Sequence, residues 1–425
     1  MAKGLKTDVD VVIVGGGAVG ATLALELDRL AYRVALVELR QPDFSSTSPE
    51  RVIALNAGSS MHLDRVGVWQ EIAEAGVANI NHIVVAEPGN RGRVDMDAAG
   101  ASRRLDALGY VIEMGPLLKP IYQKLENSGV QLYFHAAVQA LHFEDARVDV
   151  DLLLEGKRKT IRASLLVGAD GTNSQIRSMA GIQTRGWDYN RFGIVASVRC
   201  EREQAQTAFE CFRSAGPLAF LPLADGRYSI VWAVSPGEAN QLLGMSDDSF
   251  LDALQRAAGD ELLRQTGSII ETSPRAAFPL ELTVASCFTR PRLALVGNAA
   301  HTVHPVAGQG MNLGLRDVEV LVQELDSELG HRDPGQSIIL QAYAEQRRVD
   351  TLAVAGFTES MVNSFGSSLP GMKWLRGRGL DVMDSWPALK DLLLSHAAGL
   401  SQAREASNEV DRVEVDAHQE VEVRA

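Results

Sequence analysis

Residues 9–38 constrain this chain more than any other stretch. Val9-Asp10-Val11-Val12-Ile13-Val14 is β-branched and almost wholly apolar, the composition of a strand covered on both faces. Gly15-Gly16-Gly17-Ala18-Val19-Gly20 follows at once and matches GxGxxG at Gly15, Gly17 and Gly20. Val19, Leu23, Leu27 and Leu30 then recur at helical spacings, and Val34-Ala35-Leu36-Val37 reads as a second strand ending in Glu38. In such a βαβ unit Gly15 permits the tight turn, Gly17 lets the backbone approach a pyrophosphate, and Gly20 lets the helix pack closely on the sheet. Free N–H groups at the helix start hold phosphate oxygens. Glu38 can accept hydrogen bonds from ribose hydroxyls, and its charge repels a 2′-phosphate. The unit predicts an α/β, doubly wound dinucleotide-binding domain and leaves NAD and FAD both open.

Two distant turns extend the pattern. Leu165-Leu166-Val167-Gly168-Ala169-Asp170-Gly171 is a buried strand running into a tight turn, with Ser174 and Arg177 just after it. Leu293-Ala294-Leu295-Val296-Gly297-Asn298-Ala299-Ala300-His301 is another strand that stops at a glycine, and it leads into Pro305 to Asp317. Gly308, Gly310 and Gly314 imply backbone passing close to something flat and polar, followed by a helix from about residue 313. A helix N-terminus there stabilises negative charge on a reduced ring.

GxGxxG, a strand ending Gly-Ala-Asp-Gly, and Gly-Asn-Ala-Ala-His followed by Pro and Gly-Gln-Gly-Met-Asn together resemble the single-component FAD-dependent aromatic hydroxylases. Within them the chain is most similar to the ubiquinone-biosynthesis branch. Arg51-Val52-Ile53-Ala54-Leu55, Leu108-Gly109-Tyr110-Val111-Ile112-Glu113 and Gly216-Pro217-Leu218-Ala219-Phe220-Leu221-Pro222-Leu223 carry the likeness further. The resemblance implies that Gly15, Gly17, Ala18, Gly20 and Glu38 hold the ADP half of FAD, with Arg51 near the pyrophosphate or ribityl chain. It implies that Asp170 serves a turn shared by flavin and nicotinamide sites. Asn298, Pro305, Gly308, Gln309, Gly310, Met311 and Asn312 would hold the ribityl chain and isoalloxazine, with His301 and Pro305 near the ring. The common family pattern has Asp where this chain has Asn298; an amide oxygen still accepts a ribityl hydroxyl and loses only the charge. The implied reaction is transfer of an oxygen atom from a flavin C4a-hydroperoxide to the ring of a polyprenylated methoxyphenol, giving the 1,4-benzoquinol. O2 is then a co-substrate, and NAD(P)H or a separate reductase supplies electrons, the former along the groove near Asp170 and Arg177. A small soluble phenol as substrate, and a flavin-holding non-catalytic subunit of a ubiquinone-synthesis complex, are the alternatives.

Between about 186 and 285 the pattern changes to alternating strands. Leu218–Leu223 and Tyr228–Ala233 are joined across Ala224-Asp225-Gly226-Arg227, a strong hairpin signal. Tyr228, Ile230 and Trp232 share one face, which is either plain packing or the wall of a substrate pocket; Phe220 and Trp232 are the candidates to touch substrate. A pocket for a prenylated phenol must be apolar, with a few polar groups placing the ring. No convincing general base stands out, and Glu113 is open between buried support and pocket contact. Gln309 could also cap the following helix and Asp317 could be an ordinary first-turn acid. His301 and His304 are three apart but lack a third metal ligand nearby, so no metal is expected.

The expected organisation is an FAD-binding domain from 1–80, 110–185 and 286–345, a substrate-binding domain from 81–109 and 186–285, a helical region over 346–400 and a disordered tail over 401–425. At 425 residues the chain has room for two or three such units. Forty-one Lys+Arg against 54 Asp+Glu give a net charge of −13, which excludes general nucleic-acid binding. Three cysteines without CxxC spacing, and no apolar signal region at the start, fit a reduced, cytoplasmic protein. No stretch reads as a bilayer span. Met372-Lys373-Trp374-Leu375-Arg376-Gly377-Arg378 combines an aromatic, apolar residues and three cations, a candidate for peripheral contact with the inner membrane face. Other ubiquinone-biosynthesis proteins are the expected partners.

Overall fold

The computed structural model describes residues 8–44, 51–88, 93–100, 106–213, 215–304, 308–366 and 399. Strands are numbered along the chain. The first sheet contains β1 (Val9–Val14), β2 (Val34–Val37), β8 (Gln131–Tyr133), β9 (Ala136–Phe143), β10 (Val148–Leu154), β11 (Lys157–Gly168), β18 (Thr289–Arg290) and β19 (Leu293–Leu295). Its centre is parallel, in the order β19-β11-β1-β2-β8, with β18 antiparallel at one edge and the β9–β10 hairpin branching from β11. Val9 to Val14 are apolar apart from Asp10 and buried on both faces, in a core shared with α1, α4, α9 and Val138, Val148, Val150 and Leu152 of the β9–β10 hairpin. Helices α1 (Ala18–Arg29), α4 (Met114–Glu126) and α9 (Gln309–Leu325) belong to this layer, and α1 packs on both of the others.

The second sheet holds β5 (His82–Ala86), β6 (Arg93–Asp97), β12 (Thr184–Cys200), β13 (Thr207–Cys211), β14 (Leu218–Pro222), β15 (Tyr228–Val234), β16 (Ile269–Thr272), β17 (Ala276–Ala285) and β20 (His301–Thr302). It is antiparallel except where β13 lies parallel to β5, so the excursion through residues 82–97 joins the sheet built mainly from 184–285. One face is covered by α6 (Pro236–Gly244), α7 (Asp247–Ala258) and α8 (Asp260–Thr266). The expected hairpin forms: Gly226 adopts φ +80°, and the Leu223 N–H donates to the Arg227 carbonyl at 2.8 Å.

A small third sheet, β3 (Val52–Asn56), β7 (Gly109–Glu113) and β4 (Ala78–Ile80), stands between them with α2 (Ala57–Val66) and α3 (Trp69–Glu74). The short helices α5 (Gln175–Met179) and α10 (Glu328–Arg332) complete the connections, and α11 (Ser337–Gly366) is one continuous helix of 30 residues. The expected boundary at 346 falls inside α11. The basic aromatic segment at 372–378 and the acidic tail from 401 lie outside the described residues. Among the described residues no helix is long and apolar enough to cross a membrane.

Candidate active site

Gly15 sits at φ +108°, and a Cβ there would stand 2.3 Å from the Ala169 carbonyl oxygen. A Cβ on Gly20 would stand 2.0 Å from the Gly15 carbonyl oxygen. These two glycines are therefore demanded by the protein's own packing. Gly17 differs: nothing lies within 4 Å of the position its Cβ would occupy. It is the N-cap of α1, with no side-chain cap on the N–H groups behind it, and Ala18 opens the helix. Open space before uncapped N–H groups is the cradle a pyrophosphate requires, so the residues present fit a dinucleotide. At the end of β2, Glu38 accepts the Gly16 N–H through Oε2 at 2.6 Å and the Arg40 N–H through Oε1 at 3.0 Å. The Tyr122 hydroxyl donates to the Gly16 carbonyl at 2.6 Å; burial and the Glu38 charge push its pKa up and keep it a donor. Arg51 is exposed just before β3.

The turn after β11 is tied from within. Asp170 accepts the Ser174 hydroxyl and, at 3.0 Å, the Ile176 N–H, so its carboxylate shapes the start of α5. Arg177 is buried and donates to the Ala299 and Thr172 carbonyls at 2.9 and 2.8 Å. Its guanidinium clamps these two turns together.

The third glycine segment closes onto the first. The Cβ position of Gly297 lies 3.3 Å from Val19, and that of Gly314 lies 2.8 Å from Val19 and 3.2 Å from the Gly297 Cα. The starts of α1 and α9 and the 297–299 turn thus meet at one point. Helix α9 begins at Gln309 rather than near 313 because Gly308, at φ +63°, is a left-handed N-cap that only glycine occupies cheaply. A Cβ on Gly308 would also stand 2.7 Å from Ala54 Cβ, whereas Gly310 faces open space. Gln309 is buried at the first helical position and Met311 packs partly against the core. Asn298 donates weakly to Thr172 Oγ1 at 3.3 Å, and its Oδ1 has no hydrogen bond among the described residues. Asn312 is a structural hub. Its Oδ1 accepts from the Asn56 N–H (2.9 Å) and the Ser59 hydroxyl (2.8 Å), while Nδ2 donates to the Ala54 and Gly308 carbonyls (3.0 and 2.9 Å). Its side chain is satisfied inside the protein, so any help to a flavin comes through the α9 start that it fixes. Pro305 lies outside the described residues.

Behind this turn is a buried ion network. Asp317 accepts from the Gly297 N–H and from His301 Nε2, both at 2.7 Å, and from Arg347 Nε at 2.6 Å. Burial alone would raise the Asp317 pKa, but His301, Arg347 and the Gly297 N–H outweigh it and hold the carboxyl below its ordinary range. His301 is thereby a fully buried support for the turn. Asp317 is more than a first-turn acid: it links the glycine turn to α11. His304 is buried edge-on to Tyr189 at 5.1 Å, and desolvation lowers its pKa to about 4. Among the described residues no cluster of three His, Cys, Asp or Glu could hold a metal ion.

The nine-stranded sheet shows its two faces plainly. Leu218, Phe220, Tyr228, Ile230 and Trp232 all point into the core beneath α6–α8, and Trp232 lies 6.1 Å from the Phe250 ring. Phe220 is 0% and Trp232 2% exposed. Both were candidates to touch substrate; packing against the helices explains them instead. The other face looks toward the small sheet, since Ala208, Leu221 and Leu223 pack with Ile80, Val111 and Val52. β3 carries Val52 in that contact and Ala54 on the same face against Gly308, so β3 leads from the contact to the glycine turns, and the partly exposed face of the large sheet beside it is the candidate cleft. Glu113 pairs with Val52 at the end of β7.

Register identifies what the cleft face presents. Glu210 pairs with Ala219, Ala219 with Val231, and Val231 with Val195, giving one row of small apolar side chains ending in a carboxylate. The neighbouring row toward β20 contains Gly193, Ala233 and Phe278, whose ring covers Gly193 and is 37% exposed. Glu210 is partly buried, has no hydrogen bond or ion pair among the described residues, and desolvation pushes its pKa up to about 7. Neither Glu210 nor Phe278 is marked by a motif. The available signal was the glutamate inside Thr207-Ala208-Phe209-Glu210-Cys211, an acid in an otherwise apolar strand.

Comparison with known proteins agrees with this geometry. The family described as FAD binding domain matches residues 8–357. The chain is 34% identical to the 3-demethoxyubiquinol 3-hydroxylase of Escherichia coli (strain K12), over 92% of this chain and 98% of that protein. It is also 34% identical to the ubiquinone hydroxylase UbiL of Rhodospirillum rubrum, covering 92% and 89%. The crystal structure of p-nitrophenol 4-monooxygenase PnpA from Pseudomonas putida DLL-E4 superposes with a TM-score of 0.77 at 20% identity, covering 93% of this chain and 99% of that one. That likeness speaks to the fold.

Proposed function

This chain belongs to the FAD-binding-domain family of flavin-dependent aromatic monooxygenases, and from that membership we propose that it hydroxylates the ring of a polyprenylated methoxyphenol in ubiquinone biosynthesis. One observation carries the reading: the starts of α1 and α9 and the 297–299 turn converge on Val19, beside an apolar cleft whose sheet face is almost free of charge. FAD, when bound, supplies the oxygen-activating redox chemistry. The uncapped start of α1 and Glu38 suit its ADP half; Asn298, Gly308 and Gly310 suit the flavin half. The small floor of Ala219, Val231 and Val195 suits a flat, greasy ring and excludes water from the reacting face. Electrons come from NAD(P)H or from a separate reductase.

The experiment supplies 18O2 and paired phenols, prenylated and unprenylated, to the FAD-loaded protein. A product carrying one atom from O2, formed in preference from the prenylated phenol, is the expected result. Label arriving only from water rejects hydroxylation, and equal turnover of both phenols moves the substrate to a small soluble phenol. Flavin uptake with no oxygenation of either phenol assigns the chain to flavin holding alone.

A further inference from the structure

Successive side chains of strand β13 point to opposite faces of the sheet. Thr207, Phe209 and Cys211 are buried, and Phe209 and Cys211 enter the helix-covered core. Ala208 and Glu210 therefore point to the opposite face, where Ala208 meets Val111 and Ile80 across the cleft. The ladder fixes where Glu210 lies along that face. Moving from Ala208 to Glu210 on β13 corresponds to moving from Leu221 to Ala219 on β14, from Ser229 to Val231 on β15, and from Ser197 to Val195 on β12. Continuing along β12 leads through Gly193 to Tyr189, whose ring meets His304 edge-on, and β17 pairs with β20 at the same end. Glu210 thus stands one row inside the closed contact, on the side of the glycine turns. It is the one ionisable group in the row Glu210–Ala219–Val231–Val195.

A carboxylate left without hydrogen-bond or ionic partner in an apolar cleft is costly unless a ligand meets it. We propose that Glu210 is a catalytic residue of the substrate site, the base that accepts the hydroxyl hydrogen of the bound phenol. This rests on the function proposed above. In the ionised form Glu210 accepts a charge-assisted hydrogen bond from the phenol O–H. In the step, the phenolic O–H bond breaks and a new O–H bond forms on a Glu210 carboxyl oxygen. The bonding pair remains on the ring oxygen, raising electron density at the ring carbons ortho and para to it. No electrons enter or leave in this transfer, and the proton passes afterwards from the carboxyl to water. Desolvation matches the base to its task, because a carboxyl titrating near 7 is closer to a phenol's pKa of about 10 than an ordinary glutamate is.

The test uses FAD-loaded wild type, Glu210→Gln and Glu210→Asp, with a short-chain 2-prenyl-6-methoxyphenol as probe. Its readouts are the affinity of the oxidised protein for the phenol and kcat/KM, both from pH 5.5 to 9. For wild type, both rise with pH through a midpoint near 7. Glu210→Gln loses both pH dependences and drops about 10²-fold in kcat/KM at pH 8, the size expected for removing a general base. Glu210→Asp retains the dependence with a displaced midpoint. Unchanged profiles in Glu210→Gln would overturn the assignment while the hydroxylation itself stands. If Glu210→Gln fails to hold flavin, an unmoved midpoint in Glu210→Asp overturns it equally. A wild type that neither binds nor oxidises the phenol rejects the underlying function, a result readily told apart from the other two.

Discussion

Gly17 and Gly20 are three residues apart in one motif, yet they answer to different demands. A methyl on Gly20 meets the Gly15 carbonyl oxygen, so Gly20→Ala strains the protein whether or not flavin is present. Its expected cost is about 1–3 kcal/mol of unfolding free energy in the flavin-free protein, by the usual penalty for overpacking. A methyl on Gly17 meets nothing in the chain, so Gly17→Ala keeps the flavin-free stability. What it fills is the space before the helix N–H groups, and loss of one charge-assisted phosphate contact there weakens FAD by roughly 1.5–3 kcal/mol, about ten- to hundredfold in Kd. Urea unfolding of the stripped protein and flavin fluorescence titration separate the two variants. His304 offers a residue-scale test in pH. Its pKa falls from the ordinary 6.5 to about 4 in the fold, so the unfolded chain binds more protons between those values. Stability contributed by neutral His304 is therefore complete above about pH 6.5 and is lost as pH falls toward 4, on the order of 3 kcal/mol in all. Replacing it with Phe should flatten that part of the stability–pH curve; an unchanged slope between pH 6.5 and 4.5 would count against the burial argument.

Among elements, the join between α9 and α11 bears on the site although it touches no expected ligand position. Asp317 on α9 holds the Gly297 N–H and His301 with one oxygen and Arg347 on α11 with the other, and Arg347 pairs further with Asp350 at 2.6 Å. The groups are buried, so removing one partner strands the rest. Asp317→Asn is expected to cost about 3–5 kcal/mol in urea unfolding, and the double change with Arg347→Met less than the sum of the two single changes. This element-scale tie was hidden in the sequence, where Asp317 and Arg347 stand 30 residues apart and each is an ordinary helix residue. By contrast β1, α1 and β2 were legible, because strand composition, glycine spacing and helical period all named the same unit. The start of α9 was misjudged for a physical reason: glycines at 308 and 310 read as loop, while only Gly308 lies outside the helix, as its N-cap, and Gly310 lies within a helix stabilised by packing on Val19 and by the Asn312 hub. Asn312 itself was legible as part of the flavin segment but not as the residue that pins β3 and α2 to it.

For the whole molecule, the two faces of the nine-stranded sheet divide the work, and the alternation of β15 reads equally well either way. Tyr228, Ile230 and Trp232 form the bulky face, and a bulky aromatic face suggested a substrate wall; it is the core face because α6–α8 cover it. The choice between faces depends on which layer each one meets, and no local pattern in a strand encodes that. On the proposed function, small residues mark the substrate face: Ala219, Val231, Val195 and Gly193 leave room for a ring, while Phe220 and Trp232 fill space in the helix-covered core. The two faces can be separated by a pair of substitutions on adjacent residues of β15. Trp232→Ala empties the core and should cost about 3–5 kcal/mol, read as a lower urea midpoint, with the preference between prenylated and unprenylated phenol kept in the protein that remains folded. Val231→Phe adds a ring to the cleft floor and should keep the urea midpoint close to wild type and FAD affinity within about twofold, while the prenylated phenol binds at least about tenfold more weakly, roughly 1.4 kcal/mol. If Trp232→Ala shifted phenol preference and Val231→Phe left phenol binding untouched, the cleft would have to lie on the helix-covered face, and the direction inferred for Glu210 would reverse with it.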